Sequence, residues 1–178
     1  MNNDIEKVLY TQDQLNKRMD ELAQELTAEY KRDFPLIISV MTGAMIFTGD
    51  MLKRLNFKLN VDVMKASSYV GAHSTGDVKI IHDVLTDVKG RRVILFEDII
   101  DTGHTLKAVK ELLLKRGAKT VEICAMLDKP ESREVALKGD YIGYSAPDEY
   151  LVGYGLDYSG MYRNLPYVGV LKKEVYTN

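Results

Sequence analysis

The sequence predicts an α/β fold built on a central, mostly parallel sheet flanked by helices, and three observations predict it. Apolar strands alternate with helical patterns through the middle of the chain, the arrangement of a parallel sheet covered on both faces. Leu36-Ile37-Ile38-Ser39-Val40-Met41 is apolar at consecutive positions, not alternate ones, as a strand buried on both faces must be. Arg92-Val93-Ile94-Leu95-Phe96 is a second such run, and it passes through a short polar loop into a helix. A chain of 178 residues suits a single domain, with a core over about 35–130 and a small hood from about 1–15 and 140–178.

The elements follow in order. Thr11 with Gln14 three residues on forms a capping box, and Leu15, Met19, Leu22 and Leu26 then recur at helical spacing to about Lys31. Phe34-Pro35 breaks that pattern before the first buried strand. Thr42-Gly43 turns the chain into a helix from Ala44 to about Leu55, and Leu59 to Lys65 alternates as a strand. Residues 67–77 are polar and aperiodic, either a plain hairpin connection or a mobile flap. A strand follows at Val78–His82 and another at Arg92–Phe96, then a loop at 97–103. A helix spans His104 to Arg116 and closes on Gly117, and a strand covers Thr120 to Leu127. Shorter strands are expected at Tyr141–Tyr144, Leu151–Tyr154 and Val168–Leu171.

Composition narrows the function. A net charge of −2 with a pI near 5.9 leaves no global attraction for nucleic acid, and no apolar run approaches membrane-spanning length. Asn2, Asn3, Asp4 and Glu6 stand where a signal peptide would need a basic start and an apolar stretch, and Cys124 is a lone cysteine in an apolar strand. Together these point to a cytoplasmic protein with no membrane or nucleic-acid partner. No P-loop, dinucleotide-binding glycine pattern, nucleophilic serine elbow or His-Glu-x-x-His occurs.

The informative stretch is Glu97-Asp98-Ile99-Ile100-Asp101-Thr102-Gly103-His104-Thr105, at the end of the buried strand Arg92–Phe96. Ligands of open parallel sheets sit beyond the carboxyl ends of strands, and a turn opening a helix presents unpaired N–H groups to phosphate. Gly103 permits close backbone approach, and the hydroxyls of Thr102 and Thr105 can donate to phosphate oxygens. Glu97 and Asp98, when ionised, only accept hydrogen bonds, which suits a vicinal diol or a hydrated Mg2+ ion. A helix cap alone accounts for one acidic residue in such a turn, not three.

This stretch closely resembles the signature of the type I phosphoribosyltransferases, and the chain from about residue 8 to 171 is similar to their hypoxanthine-guanine branch. The resemblance implies the type I fold and transfer of a 5-phosphoribosyl group from phosphoribosyl pyrophosphate to a purine, with Mg2+ as cofactor. It implies that Glu97 and Asp98 hold the ribose hydroxyls and lie near metal, and that Asp101 is the general base. The 5-phosphate falls to Asp101, Thr102, Gly103, His104 and Thr105. Thr42 and Gly43 resemble the loop that contacts pyrophosphate through backbone groups, where many relatives have lysine at the position of Thr42. Arg163 pairs with pyrophosphate, and Ser68 and Tyr69 match the family's flap.

At the other end of the site, the run from Pro147 to Tyr158 resembles the family's base-recognition segment. The resemblance implies that Lys138 donates to the purine O6, with Lys129 a rival for that role. Tyr150 would stack on the ring, Leu151 would offer backbone groups, and Asp157 would lie near a second Mg2+ and the purine 2-position. A homodimer or homotetramer is implied as well. Two alternatives stand beside this reading: a xanthine-preferring enzyme, and a nucleotide-sensing RNA-binding regulator on the same fold, against which the acidic pI and Asp101 weigh.

Overall fold

The computed structural model of the chain describes residues 1–68 and 78–177, without the side chain of Ser68. In chain order the elements are β1 (Ile5–Tyr10), α1 (Gln12–Tyr30), β2 (Leu36–Val40), α2 (Met45–Leu52), β3 (Asn60–Ser68), β4 (Val78–His82), β5 (Arg92–Ile100), α3 (His104–Lys115), β6 (Thr120–Asp128), β7 (Tyr141–Ser145), β8 (Leu151–Val152), β9 (Val168–Leu171) and α4 (Lys173–Tyr176). The larger sheet runs β4-β3-β2-β5-β6-β7, parallel throughout except for the antiparallel β3–β4 pair.

Successive side chains of β5 go to opposite faces, which is why its sequence is apolar without alternation. Ile94 and Phe96 join Leu15, Met19, Phe47 and Met51 from α1 and α2. Val93 and Leu95 join Leu106, Val109 and Leu113 from α3. Cys124 lies in the first of these layers, and burial pushes its thiol up, so it is an inert core residue.

Local signals hold at the helix ends. Thr11 and Gln14 form the reciprocal capping box, with Thr11 Oγ1 accepting from the Gln14 N–H and Gln14 Oε1 from the Thr11 N–H. Gly117, at φ +92°, closes α3 by two bonds: its own N–H donates to Leu114 O, and that of Ala118 to Leu113 O.

The direction of the crossovers positions the site. From β2 the chain crosses through α2 to β3 on one side, and from β5 through α3 to β6 on the other. The sheet's connections diverge between β2 and β5, so a crevice opens beyond Val40 and Ile100. A three-stranded antiparallel sheet, β1-β9-β8, draws on both ends of the chain. Stacked rings of Tyr10 and Tyr144, 4.2 Å apart, tie it to the larger sheet.

Several boundaries depart from expectation. β5 runs past Phe96 to Ile100 because β6 continues beside it, pairing Ile100 with Asp128. α2 ends at Leu52, its following residues held by the tighter bonds Arg54 N–H to Met51 O and Leu55 N–H to Leu52 O. β8 stops at Val152, since Gly153, Tyr154 and Gly155 all take positive φ. β1 and α4 were not predicted as elements.

Candidate active site

Because β5 is longer than predicted, Glu97 and Asp98 are strand residues held on a rigid element. Glu97 is buried; its Oε1 accepts the Asp98 N–H at 3.0 Å, while Asp98 Oδ1 accepts that of Ile99 at 2.8 Å. Burial is the main force on both, and it raises each pKa. The neighbouring Asp98 charge pushes Glu97 further up, whereas the Arg163 guanidinium pulls Asp98 partly back. Two desolvated acids side by side favour a cation or a hydroxyl-bearing ligand between them and solvent.

Beyond Ile100 the chain turns through Asp101 and Thr102 into Gly103, whose φ of +88° suits glycine. A side chain there would also strike Arg133, with an added Cβ 2.9 Å from its Cδ. The first helical bond of α3 runs from the Lys107 N–H to Gly103 O, and no side chain caps the helix. The N–H groups of the first turn therefore face outward as an anion seat. Thr102, Gly103 and Thr105 line a cavity of about 210 Å³ together with Gly43, Glu97 and Asp98.

Arg133, which sequence reasoning missed, fastens this turn. Its Nε donates to Asp101 O at 2.8 Å, Nη2 to Ile100 O at 3.2 Å and Nη1 to Leu137 O at 2.7 Å, and it pairs with Asp128. Only its place just after β6 hinted at such a role.

The loop after β2 meets β5 closely. The Met41–Thr42 peptide is cis, and a Cβ on Gly43 would lie 1.8 Å from Asp98 Oδ2. From the other side, Gly155 presses on the same loop: an added Cβ would fall 2.1 Å from Gly43 O. Arg163 holds that contact, donating from Nη1 to Gly155 O at 2.6 Å and pairing with Asp157 Oδ1 at 2.5 Å. Asp157 Oδ2 accepts the Gly160 N–H, so both its oxygens are engaged. Thr42 and Arg163 line neither of the two cavities described here.

A larger cavity, about 750 Å³, shares Asp98, Ile99 and Asp101 with the smaller one and extends to Lys129, Tyr150, Leu151 and Asp157. Asp101 thus stands where the two join. Lys129 follows the last residue of β6 and is 9% exposed; its Nζ donates to Glu149 O at 2.8 Å. Lys138 does not reach this cavity and is exposed, because Leu137 before it packs inward against the α3 layer and turns the next side chain out. Of these two lysines, the one that lines this cavity is Lys129.

His104 also points elsewhere, its Nε2 lying 2.9 Å from Glu134 Oε2 on the surface. Tyr150 stands at the cavity wall, 39% exposed. The pair Ser68 and Tyr69 lies outside the described residues except for the Ser68 backbone, which ends β3.

Mg2+ fits the acidic pair as a hard oxygen donor set. Among the described residues no group of three or more His, Cys, Asp or Glu gathers as a metal centre. The protein would therefore contribute one or two carboxylates and leave the remaining positions to substrate oxygens and water, which is this ion's habit.

Residues 8–159 match the phosphoribosyl transferase domain family. The hypoxanthine-guanine phosphoribosyltransferase of Bacillus subtilis is 48% identical over 177 residues, covering 99% of this chain and 98% of that protein. The bifunctional protein TilS/HprT of Listeria innocua is 49% identical over 99% of this chain, which spans 28% of that longer relative. A crystal structure of a hypoxanthine phosphoribosyltransferase from Staphylococcus aureus superposes with a TM-score of 0.97 at 42% identity, covering 100% of this chain and 97% of that one.

Proposed function

The chain belongs to the phosphoribosyl transferase domain family, and on that premise we propose that it serves purine salvage. It moves the 5-phosphoribosyl group of phosphoribosyl pyrophosphate onto hypoxanthine or guanine, giving IMP or GMP and pyrophosphate. The observation that carries this reading is the pair of joined cavities with Asp101 at their junction.

The smaller cavity suits the sugar phosphate. Its helix N-terminus and the hydroxyls of Thr102 and Thr105 take the 5-phosphate, and Glu97 and Asp98 accept from the ribose hydroxyls. Backbone groups at Thr42 and Gly43, with Arg163 behind them, face the pyrophosphate. The larger cavity suits the base, with Tyr150 as a stacking ring, Leu151 as a backbone partner and Asp157 towards the purine 2-position. Lys129, nearly buried with N–H donors beyond the one given to Glu149 O, donates to the 6-oxo group.

In the reaction a bond forms between a base nitrogen and the anomeric carbon as the carbon–oxygen bond to pyrophosphate breaks. The proton lost from the base passes to the Asp101 carboxylate. Mg2+, when bound, neutralises charge on the pyrophosphate leaving group. Glu97, Asp98 and Asp157 would be the carboxylates to hold it. No helix among the described residues is long and apolar enough to cross a membrane, and a cytoplasmic homodimer or homotetramer completes the proposal.

Offering hypoxanthine, guanine, xanthine, adenine and uracil in turn, with phosphoribosyl pyrophosphate and Mg2+, tests the reading by ultraviolet absorbance. Hypoxanthine and guanine should react and adenine and uracil should not. A preference for xanthine, or no turnover of any base, would overturn it.

A further inference from the structure

The aromatic wall of the larger cavity is not made by one segment. Tyr150 precedes β8, but its ring is stacked on that of Tyr176 from α4, with centroids 4.8 Å apart and planes 26° apart. Tyr158 meets both, at 5.5 Å and 87° to Tyr150 and at 6.5 Å and 63° to Tyr176. Both Tyr150 and Tyr176 line the cavity that also holds Asp101 and Lys129.

The turn that carries Tyr176 is fastened to Tyr150 by backbone as well. The N–H of Leu171, last residue of β9, donates to Tyr150 O at 2.8 Å, and the Lys172 N–H donates to Asp4 O at 2.9 Å. The one-turn helix α4 starts at the next residue, its chain held by Val175 N–H to Lys172 O and Thr177 N–H to Lys173 O. One residue is therefore held twice by the same stretch of chain, through its carbonyl and through its ring. An aromatic side chain so fixed has lost most of its rotamer freedom before any ligand arrives.

We propose that Tyr176 is a positioning residue for the purine: by covering one face of Tyr150 it holds that ring at the angle the base stacks against, on the opposite face. The inference rests on the reading of this cavity as the purine seat. It makes the C-terminal turn part of the active-site wall, although α4 supplies no group that touches the reacting atoms. Offset ring pairs contribute by orientation beyond the area they bury, so the effect of losing Tyr176 falls on base affinity.

The test compares the wild type, Tyr176→Phe and Tyr176→Ala, each first shown to melt cooperatively, by steady-state kinetics with guanine and phosphoribosyl pyrophosphate varied separately. Tyr176→Ala should raise KM for the base by about three- to tenfold, the reach of one ring pair, with KM for phosphoribosyl pyrophosphate and kcat unchanged. Tyr176→Phe, which keeps the ring and loses the hydroxyl, should restore the wild-type value. If the alanine variant leaves KM for the base unchanged, lowers it as removal of a plug would, or moves all constants together, the inference fails. A wild type inactive on every base would instead sink the functional reading itself. Should Tyr176→Ala not fold, Tyr176→Leu, which fills the volume without a ring, replaces it under the same criteria.

Discussion

Gly43 and Asp98 share a space too small for a methyl group: a Cβ on Gly43 would sit 1.8 Å from Oδ2 of Asp98. The glycine is there because an acidic side chain from β5 occupies the room that its own would need. Substitution must push the carboxylate away from the crevice or lift the loop after β2. Gly43→Ala should therefore keep the fold and lose about a hundredfold in kcat/KM for phosphoribosyl pyrophosphate, the scale of an ångström's misplacement. Kinetics within threefold of wild type would show that Asp98 has freedom to move.

The two lysines separate cleanly by burial. Lys129→Ala should weaken 6-oxopurine binding by about 1–3 kcal/mol, since an acceptor in the cavity loses a charged donor. Lys138→Ala, exposed and outside the cavity, should change nothing. Titration calorimetry with GMP distinguishes them, and the reverse ranking would return the role to Lys138.

Asp101 lines both cavities, and Arg133 donates to its backbone carbonyl, not to its carboxylate. Asp101→Asn should bind phosphoribosyl pyrophosphate normally yet turn over roughly 10²–10⁴-fold more slowly, the usual range for a general base. Unchanged turnover would remove Asp101 from proton transfer.

The acidic pair predicts a pH dependence of stability. Glu97 and Asp98 have raised pKa values in the fold, so the folded state binds protons more tightly than the unfolded chain. Their contribution is fully present below the unfolded carboxylate range and is lost as pH rises from about 4 through the folded values. Glu97→Gln removes much of this penalty. In the absence of ligand its Tm should exceed that of wild type by a margin that widens with pH. A margin constant from acid to neutral pH would mean that the buried pair is already neutralised by other means.

The sequence disclosed most where one physical rule acts locally. The capping box at Thr11, the close of α3 at Gly117 and the doubly buried β5 were legible because each needs only its immediate neighbours. The site was legible at Glu97–Thr105 because strand, acid pair and turn are contiguous. It was less so where partners are distant. The continuation of β5 to Ile100 depends on β6 lying alongside, and a one-strand pattern carries no record of its neighbour. β1 is specified by β9, more than a hundred residues away. Lys129 and Lys138 differ not in type but in which neighbour packs inward. Still, Lys129 directly follows a central strand, and the rule that located Glu97 would have selected it.

Gly155 against the Gly43 carbonyl has a lasting effect on what this enzyme can become. Where two stretches of main chain touch, exchange of the side groups around them cannot narrow the seam, and any side group at Gly155 must force it open. Gly43 lines the smaller cavity and Leu156, next to Gly155, lines the larger one, so the seam limits how close the two cavities can come. On the proposed reading, variation in which base is accepted is left to the rest of the larger cavity's wall.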